Sequence, residues 1–156
     1  MSTPFELVTD MFLDKIQEDT DFFKYDKLSD RETIEVINDR CKTILNLAIR
    51  TLQPMLEKEH NIDLLNRDED LEEFNQDLNE IEIDLVSQAM VVEHYLLKKA
   101  KLGKINTYLG SGTMKVFSPA EERRSYMEFI SQIKADFYEK LDNYNCQVRG
   151  GGEYIY

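Results

Sequence analysis

The amino-acid sequence predicts an all-α fold, an antiparallel four-helix bundle with one long loop and an extended C-terminal arm. Apolar residues recur at helical spacing in four separate segments of the 156-residue chain. Sequences typical of helix N-termini precede three of these segments. Three consecutive glycines then separate the last helix from a short aromatic end. The length fits one domain, with residues 1–145 as the helical domain and residues 146–156 as a flexible arm.

Start signals define the first two predicted helices. Thr3-Pro4-Phe5-Glu6 is a capping box with proline at the first helical position, and the helix behind it runs to about Gln17. Ser29-Asp30-Arg31-Glu32 is a second capping box, and Pro54 ends the long helix that follows. The apolar spacing of that helix predicts Cys41 as a core residue rather than a nucleophile. Residues 53–70 are predicted to form the long loop, with one short turn.

The third predicted helix begins near Leu71 and ends near Leu102-Gly103. Several of its apolar residues lie off the main apolar stripe, so we expect the helix to be central in the bundle or covered by a neighbouring chain. These residues are Val86, Met90, Val91 and Leu97. A short extended segment or hairpin is predicted near residues 105–117. The fourth helix is predicted to begin after Ser118, where Ser118-Pro119-Ala120-Glu121 forms a third capping box.

The charge of the chain is acidic and unevenly spread. Of the net charge of −12, residues 1–97 contribute −15 (24 acidic, 9 basic residues) and residues 98–156 contribute +3 (7 acidic, 10 basic). Because phosphate contacts dominate affinity for nucleic acids, we expect most of the chain to repel DNA. Residues 57–84, with 12 acids and 2 bases, form either a solvated face or a wall that DNA passes without binding. Apolar runs stay far below the roughly 20 residues that span a bilayer, so no membrane association is expected.

The sequence contains no pattern typical of a catalytic or metal site. Its two histidines, His60 and His94, belong to no zinc-binding motif. Glu93 and His94 are adjacent and therefore point to different faces of a helix. Ser111, in a glycine-containing segment, lacks the residue pattern of a nucleophile elbow. We therefore predict a protein that is not an enzyme and has no cofactor, with no catalytic, cofactor-binding or metal-binding residues.

The order of these features resembles the head-to-tail connector (adaptor) proteins of tailed bacteriophages. A short N-terminal helix precedes the Ser29-Asp30-Arg31-Glu32 start of a long helix. The third helix carries Leu85 and, from Val91 to Leu96, an aliphatic pair, a glutamate and an aromatic residue that match the family. Leu109-Gly110 and the segment from Met114 to Ala120 lead into a last helix that ends at Tyr144. The likeness covers nearly the whole chain and rests on order and spacing; the three glycines and the long acidic loop depart from the family pattern.

The resemblance implies a structural protein of the virion neck, assembled in the host cytoplasm. It would form a homo-oligomeric ring, a dodecamer, beneath the portal protein. The ring would extend the DNA channel, let DNA pass without specific binding, and provide a platform for the downstream neck or tail protein. We expect Val86, Met90, Val91 and Leu97 at the interface between subunits, because a closed ring requires two different contact surfaces on each subunit.

The C-terminal arm is predicted to dock on the portal. Its residues are Val148, Arg149, Gly150, Gly151, Gly152, Glu153, Tyr154, Ile155 and Tyr156. The glycines supply a flexible joint, and the aromatic end could add to an exposed strand edge. The alternative is a frayed terminus without a role.

Two other classes of function stay open. An acidic inhibitor that mimics DNA and binds a basic enzyme groove would use residues 57–84, and it would have no need of an aromatic tail. A small helical enzyme subunit or regulator is a third reading. The native mass of the protein distinguishes the connector from the DNA mimic. A ring supports the connector, and a monomer or dimer bound to a basic enzyme supports the mimic.

Overall fold

The computed structural model describes residues 1–109 and 119–147, and this part of the chain is mostly helical. Its elements in chain order are β1 (Thr3–Pro4), α1 (Phe5–Lys15), α2 (Asp30–Leu52), β2 (Arg67–Asp68), β3 (Glu73–Phe74), α3 (Glu80–Leu109) and α4 (Pro119–Asn145). Short 3₁₀ turns occupy Thr20–Phe22, Gln53–Met55 and Lys58–His60. The predicted helical character is confirmed, whereas the small sheet was not predicted.

The chain enters α1 without the capping box predicted at Thr3. Pro4 precedes the first helical residue, and its side chain caps nothing. The Thr3 hydroxyl instead donates to the carbonyl oxygen of Gln76 (2.9 Å) and accepts from the N–H of Leu78 (2.8 Å). The capping prediction is wrong because a distant segment offers this buried hydroxyl both a donor and an acceptor.

α2 begins with the predicted capping box. The Ser29 hydroxyl accepts from the N–H of Glu32 (3.2 Å), and the Glu32 carboxylate accepts from the N–H of Ser29 (3.4 Å). The prediction that Cys41 is a core residue is confirmed, since it is 2% exposed. The buried face of the helix continues through Ile44, Leu45, Ala48, Ile49 and Leu52.

Residues 53–79 form turns and the strands β2 and β3, which join β1 in a three-stranded antiparallel sheet of order β1-β3-β2. Thr3 and Arg67 both lie opposite Phe74 in the register. The prediction of a helix starting near Leu71 is wrong. Glu72 has a positive φ of 54°, which a helix does not allow, and Phe74 is buried against Phe5 with ring centroids 4.8 Å apart.

α3 begins at Glu80 and ends at Leu109, beyond the predicted end near Leu102-Gly103. The N–H of Asn79 donates to the Glu82 carboxylate (2.9 Å), and the N–H of Glu82 donates to the Asn79 side-chain oxygen (2.9 Å). This reciprocal pair fixes the start. The helix passes through Gly103 to Leu109, although a glycine in a helix interior costs about 1 kcal/mol relative to alanine. The predicted extended segment near residues 105–117 is therefore wrong for 105–109, and residues 110–117 lie outside the described residues.

α3 is the central helix, because α1, α2 and α4 each pack chiefly against it rather than against one another. Polar contacts between the helices add to the apolar core. Thr51 of α2 donates to the Glu93 carboxylate (3.0 Å). The Asp84 carboxylate lies between Lys15 of α1 (2.6 Å) and Lys140 of α4 (2.8 Å). A single helix thus carries the contacts that hold the other three in place.

Candidate functional site

The four residues predicted at the subunit interface all lie on α3, but three of them are core residues. Val86, Met90 and Val91 are 1%, 0% and 5% exposed within the single chain. Their expected role at the interface is corrected, because α1, α2 and α4 cover the apolar surface that lies off the main stripe. Leu97 differs from the other three, since it is 41% exposed. It is the one predicted interface residue that presents an apolar surface to the outside.

Leu97 lines a half-open cavity of about 460 Å³, which we call the Leu97 cavity. It lies between α2, α3 and the connector that follows α1. Its apolar wall is formed by Phe22, Ile44 and Leu97. Its polar lining consists of Asp19, Asp21, Asp39, Arg40, Thr43, His94 and Lys98. The cavity therefore combines an apolar wall with a surrounding border of charged and polar side chains.

A buried network of three charged or polar side chains forms the inner wall of the cavity. The Asp19 carboxylate receives Lys98 Nζ at 2.8 Å on one oxygen and contacts His94 Nε2 at 2.7 Å with the other. Asp19 and His94 are almost fully buried, whereas the side chain of Lys98 is one-third exposed. The network joins the connector after α1 to the middle of α3.

The pKa values of the network follow from burial and pairing. Burial alone would raise the pKa of Asp19, but the hydrogen bonds from Lys98 and His94 outweigh it and hold the pKa below its usual value. Burial lowers the pKa of His94, and its contact with Asp19 only partly opposes this effect. At neutral pH Asp19 is therefore ionised and paired with Lys98, while His94 is neutral and donates its Nε2 proton to the carboxylate.

Arg40 closes another side of the cavity. Its guanidinium lies over the Phe22 ring, 4.3 Å from the centroid, and donates to the hydroxyl of Tyr25 at 2.5 Å. The Phe22 ring also contacts the rings of Phe12 and His94 edge to face. These contacts fix the connector against α2 and α3.

An aspartate that orients a histidine is also part of many catalytic sites, but no serine or cysteine lies among the described lining residues of the cavity. The cavity lining contains one hydroxyl group among its described residues, that of Thr43 on α2. It donates to the carbonyl oxygen of Asp39, one turn earlier in the helix (3.2 Å).

Sequence reasoning missed this network. One signal was present, because His94 and Lys98 are four residues apart and therefore share a face of the helix. Their common partner, Asp19, lies 75 residues before His94 in the chain. No local pattern could connect it to them.

Many acids of residues 57–84 make contacts within the chain. Asp84 binds Lys15 and Lys140, Glu72 binds Lys42, and Glu69 binds Arg67. Glu82 is 3% exposed and accepts from the hydroxyl of Tyr144 at 2.6 Å. Asp68 accepts from the N–H groups of Asp70 and Leu71 in the turn between β2 and β3. These acids have structural partners, so the segment is not a uniform row of solvated carboxylates.

The first half of α4 presents a second surface, which we call the α4 face. It is lined by Arg123, Arg124, Met127, Glu128, Ser131 and Gln132, which border a shallow groove of about 650 Å³. Met127 is 50% exposed, and both arginines are exposed. Phe129, 45% exposed, packs edge to face against Tyr95 of α3. The α4 face therefore combines two cations and one acid, Glu128, with an apolar side chain.

The remaining predictions concern absences and the C-terminal arm. The described residues contain no group of three or more His, Cys, Asp or Glu side chains placed to hold a metal ion. Within the same residues, no helix is both long and apolar enough to cross a membrane. The docking arm, residues 148–156, lies outside the described part of the chain.

Comparisons of the chain with protein-family models, with curated proteins and with solved structures find no match.

Proposed function

We propose that the protein is a structural adaptor of the virion neck of a tailed bacteriophage. It forms a homo-oligomeric ring beneath the portal, extends the DNA channel and carries the next neck or tail component. The proposal rests on the order of features along the sequence. It is supported by one structural observation: two different partly apolar surfaces, the Leu97 cavity and the α4 face, lie at separate places on one subunit. A closed ring requires such a pair of unlike surfaces.

The antiparallel arrangement of the four helices is part of this proposal. Its support is the order of contacts along α3. Tyr126, near the start of α4, donates to the Tyr95 carbonyl oxygen, whereas Lys140 and Tyr144, near its end, contact Asp84 and Glu82. α4 therefore meets α3 in reverse order along the chain.

Passage of DNA and docking on the portal belong to the same proposal. The acidic balance of residues 1–97 supports a channel wall that binds DNA weakly, because it offers phosphates few cations to pair with. Residues 148–156 are proposed as the arm that docks on the portal. This part of the proposal rests on the sequence alone.

The acidic-inhibitor alternative has weaker support. A DNA mimic needs a dense row of solvated carboxylates, but within residues 57–84 several acids are paired with Lys15, Lys42, Arg67 and Lys140 or are buried. Such acids have less charge to offer to a basic groove.

Native mass spectrometry of the protein, alone and mixed with the portal protein encoded beside it, tests the function. We expect a ring with a single subunit number, which joins the portal. A monomer or dimer that binds a basic enzyme instead would overturn the proposal and favour the inhibitor. Virions that lack the protein should fill with DNA and fail to attach tails.

A further inference from the structure

We propose that neighbouring subunits join by inserting the α4 face of one copy into the Leu97 cavity of the next. The occupant of the cavity is thus a second copy of this chain, with Met127 on the apolar wall and Arg123 and Arg124 at the acidic rim. The inference rests on the proposed ring and names the surfaces that build it.

The two surfaces lie on opposite sides of α3 at the same level. Tyr95, whose carbonyl oxygen accepts from Tyr126 of α4 at 3.1 Å, marks the side that α4 occupies. Leu97, which lines the cavity, marks the other side. Two residues along a helix correspond to a rotation of about 200° and a rise of about 3 Å. Side-by-side copies can therefore present the α4 face of one to the cavity of the next.

One chain cannot fill its own cavity, because α3 stands between the two surfaces. The contact is therefore heterologous and repeats from copy to copy. A repeated contact of this kind closes into a ring when the rotation per subunit divides a full turn. The α4 face and the Leu97 cavity lie on opposite sides of the subunit at the same level along α3. This placement favours closure into a ring over growth of a helical filament.

The charges of the two surfaces are complementary. The rim of the cavity carries Asp21 and Asp39, both exposed. Lys98 is paired with Asp19. Arg40 keeps its positive charge over the Phe22 ring, but the two rim aspartates outweigh it. The rim therefore presents negative charge. The α4 face presents Arg123 and Arg124 with one acid, Glu128, and is therefore net positive. Guanidinium groups bind carboxylates with directed hydrogen bonds.

The apolar parts also match. Met127 is half exposed on the α4 face, and Leu97, 41% exposed, supplies the open apolar part of the cavity, with Phe22 and Ile44 almost fully buried behind it. An unbranched methionine adapts to such an irregular recess. The volume of about 460 Å³ has room for this side chain together with an arginine.

Reciprocal charge reversal tests the interface. One variant carries Arg123→Glu and Arg124→Glu, and the other carries Asp21→Lys and Asp39→Lys. Each variant alone brings like charges together at every contact, so we expect it to sediment as a monomer at a concentration at which the wild type assembles. A 1:1 mixture of the two restores opposite charges at every contact, and we expect it to regain the oligomer. A misfolded variant could not be rescued in this way.

A matched control carries Glu59→Lys and Asp70→Lys, two exposed acids of residues 57–84. It changes the net charge as much as the cavity variant does, and it should assemble as the wild type does. If the wild type assembles and both reciprocal variants still assemble, the ring stands and this interface is overturned. If neither variant assembles and their mixture stays monomeric, the interface is also overturned. If the wild type itself stays monomeric at its solubility limit, both the ring and the interface are overturned.

Discussion

Met90→Ala distinguishes a core role for the middle of α3 from a role at a subunit interface. The sequence predicts Met90 at a subunit contact as well as in the core, whereas the structure places it at 0% exposure inside a single chain. Leu97→Ala is the matched control, because Leu97 lies two turns further along the same helix and is 41% exposed.

The size of the effect follows from burial. Met90→Ala removes three heavy atoms, each worth about 0.8 kcal/mol when buried, and leaves a space between α3 and its neighbours. With the term for that space, removal of a buried methionine side chain costs about 2–5 kcal/mol. At Leu97 much of the side chain already faces water and no closed cavity results, so we expect a loss of about 1 kcal/mol.

Urea unfolding followed by circular dichroism at several protein concentrations measures both losses. The loss for Met90→Ala should be the same at every concentration, because the side chain is buried within one chain. The reasoning is refuted if Met90→Ala keeps wild-type stability as a monomer and only weakens assembly. It is refuted equally if Leu97→Ala destabilises the monomer as much as Met90→Ala does.

Three further predictions concern ion pairs, pH and thiols. Asp84→Ala should lower the free energy of unfolding by about 1 kcal/mol, since partly exposed ion pairs contribute roughly 0–1 kcal/mol each. Glu139→Ala, an exposed acid of α4 outside the α4 face, should change it little, and equal effects would contradict this. Burial holds the pKa of His94 below 6.5 in the folded chain, so the unfolded chain binds more protons below that pH and stability falls as the pH drops through 6.5. Urea titrations of His94→Gln should therefore show a shallower loss between about pH 7 and about pH 5, and a slope equal to that of the wild type would refute it. Burial raises the pKa of Cys41 to about 11, whereas Cys146 is exposed. A disulfide reagent should therefore react quickly with Cys146 alone in the native chain and with both cysteines in urea. Fast reaction of both thiols in the native chain would count against the core position of Cys41.

The elements that the sequence predicts well are those decided by neighbouring residues. The start of α2 depends on Ser29 and Glu32, three positions apart, and both of its hydrogen bonds form as predicted. The core position of Cys41 follows from the apolar period of one helix. Each of these features needs no distant partner.

The features that the sequence predicts wrongly depend on distant partners. Leu71, Phe74 and Leu78 have helical spacing, yet Phe74 lies in a strand that pairs with β1 and packs on Phe5. Thr3 has the sequence of a helix cap, but its hydroxyl is taken by residues more than 70 positions away. Local propensity is overruled where tertiary contacts satisfy the same groups better.

The same limit explains the candidate site. Leu97 was predicted at a subunit interface, and the structure leaves it exposed. The aspartate that fixes His94 and Lys98 behind it comes from the connector after α1. The apolar surplus at Val86, Met90 and Val91 was visible in the sequence. Whether helices of the same chain or of a neighbouring chain cover it could only be decided from the packing around α3.

The central position of α3 sets an order in which the protein opens. α4 is attached along one side of α3, through contacts such as Tyr126 with Tyr95 and Tyr144 with Glu82, and packs little on α1 or α2. It can therefore detach and return while α1, α2 and α3 stay together, whereas loss of α3 leaves the other helices without a common support. In hydrogen exchange, the backbone amides of α4 should exchange through this partial opening, and the buried amides of α3 only when the whole domain unfolds.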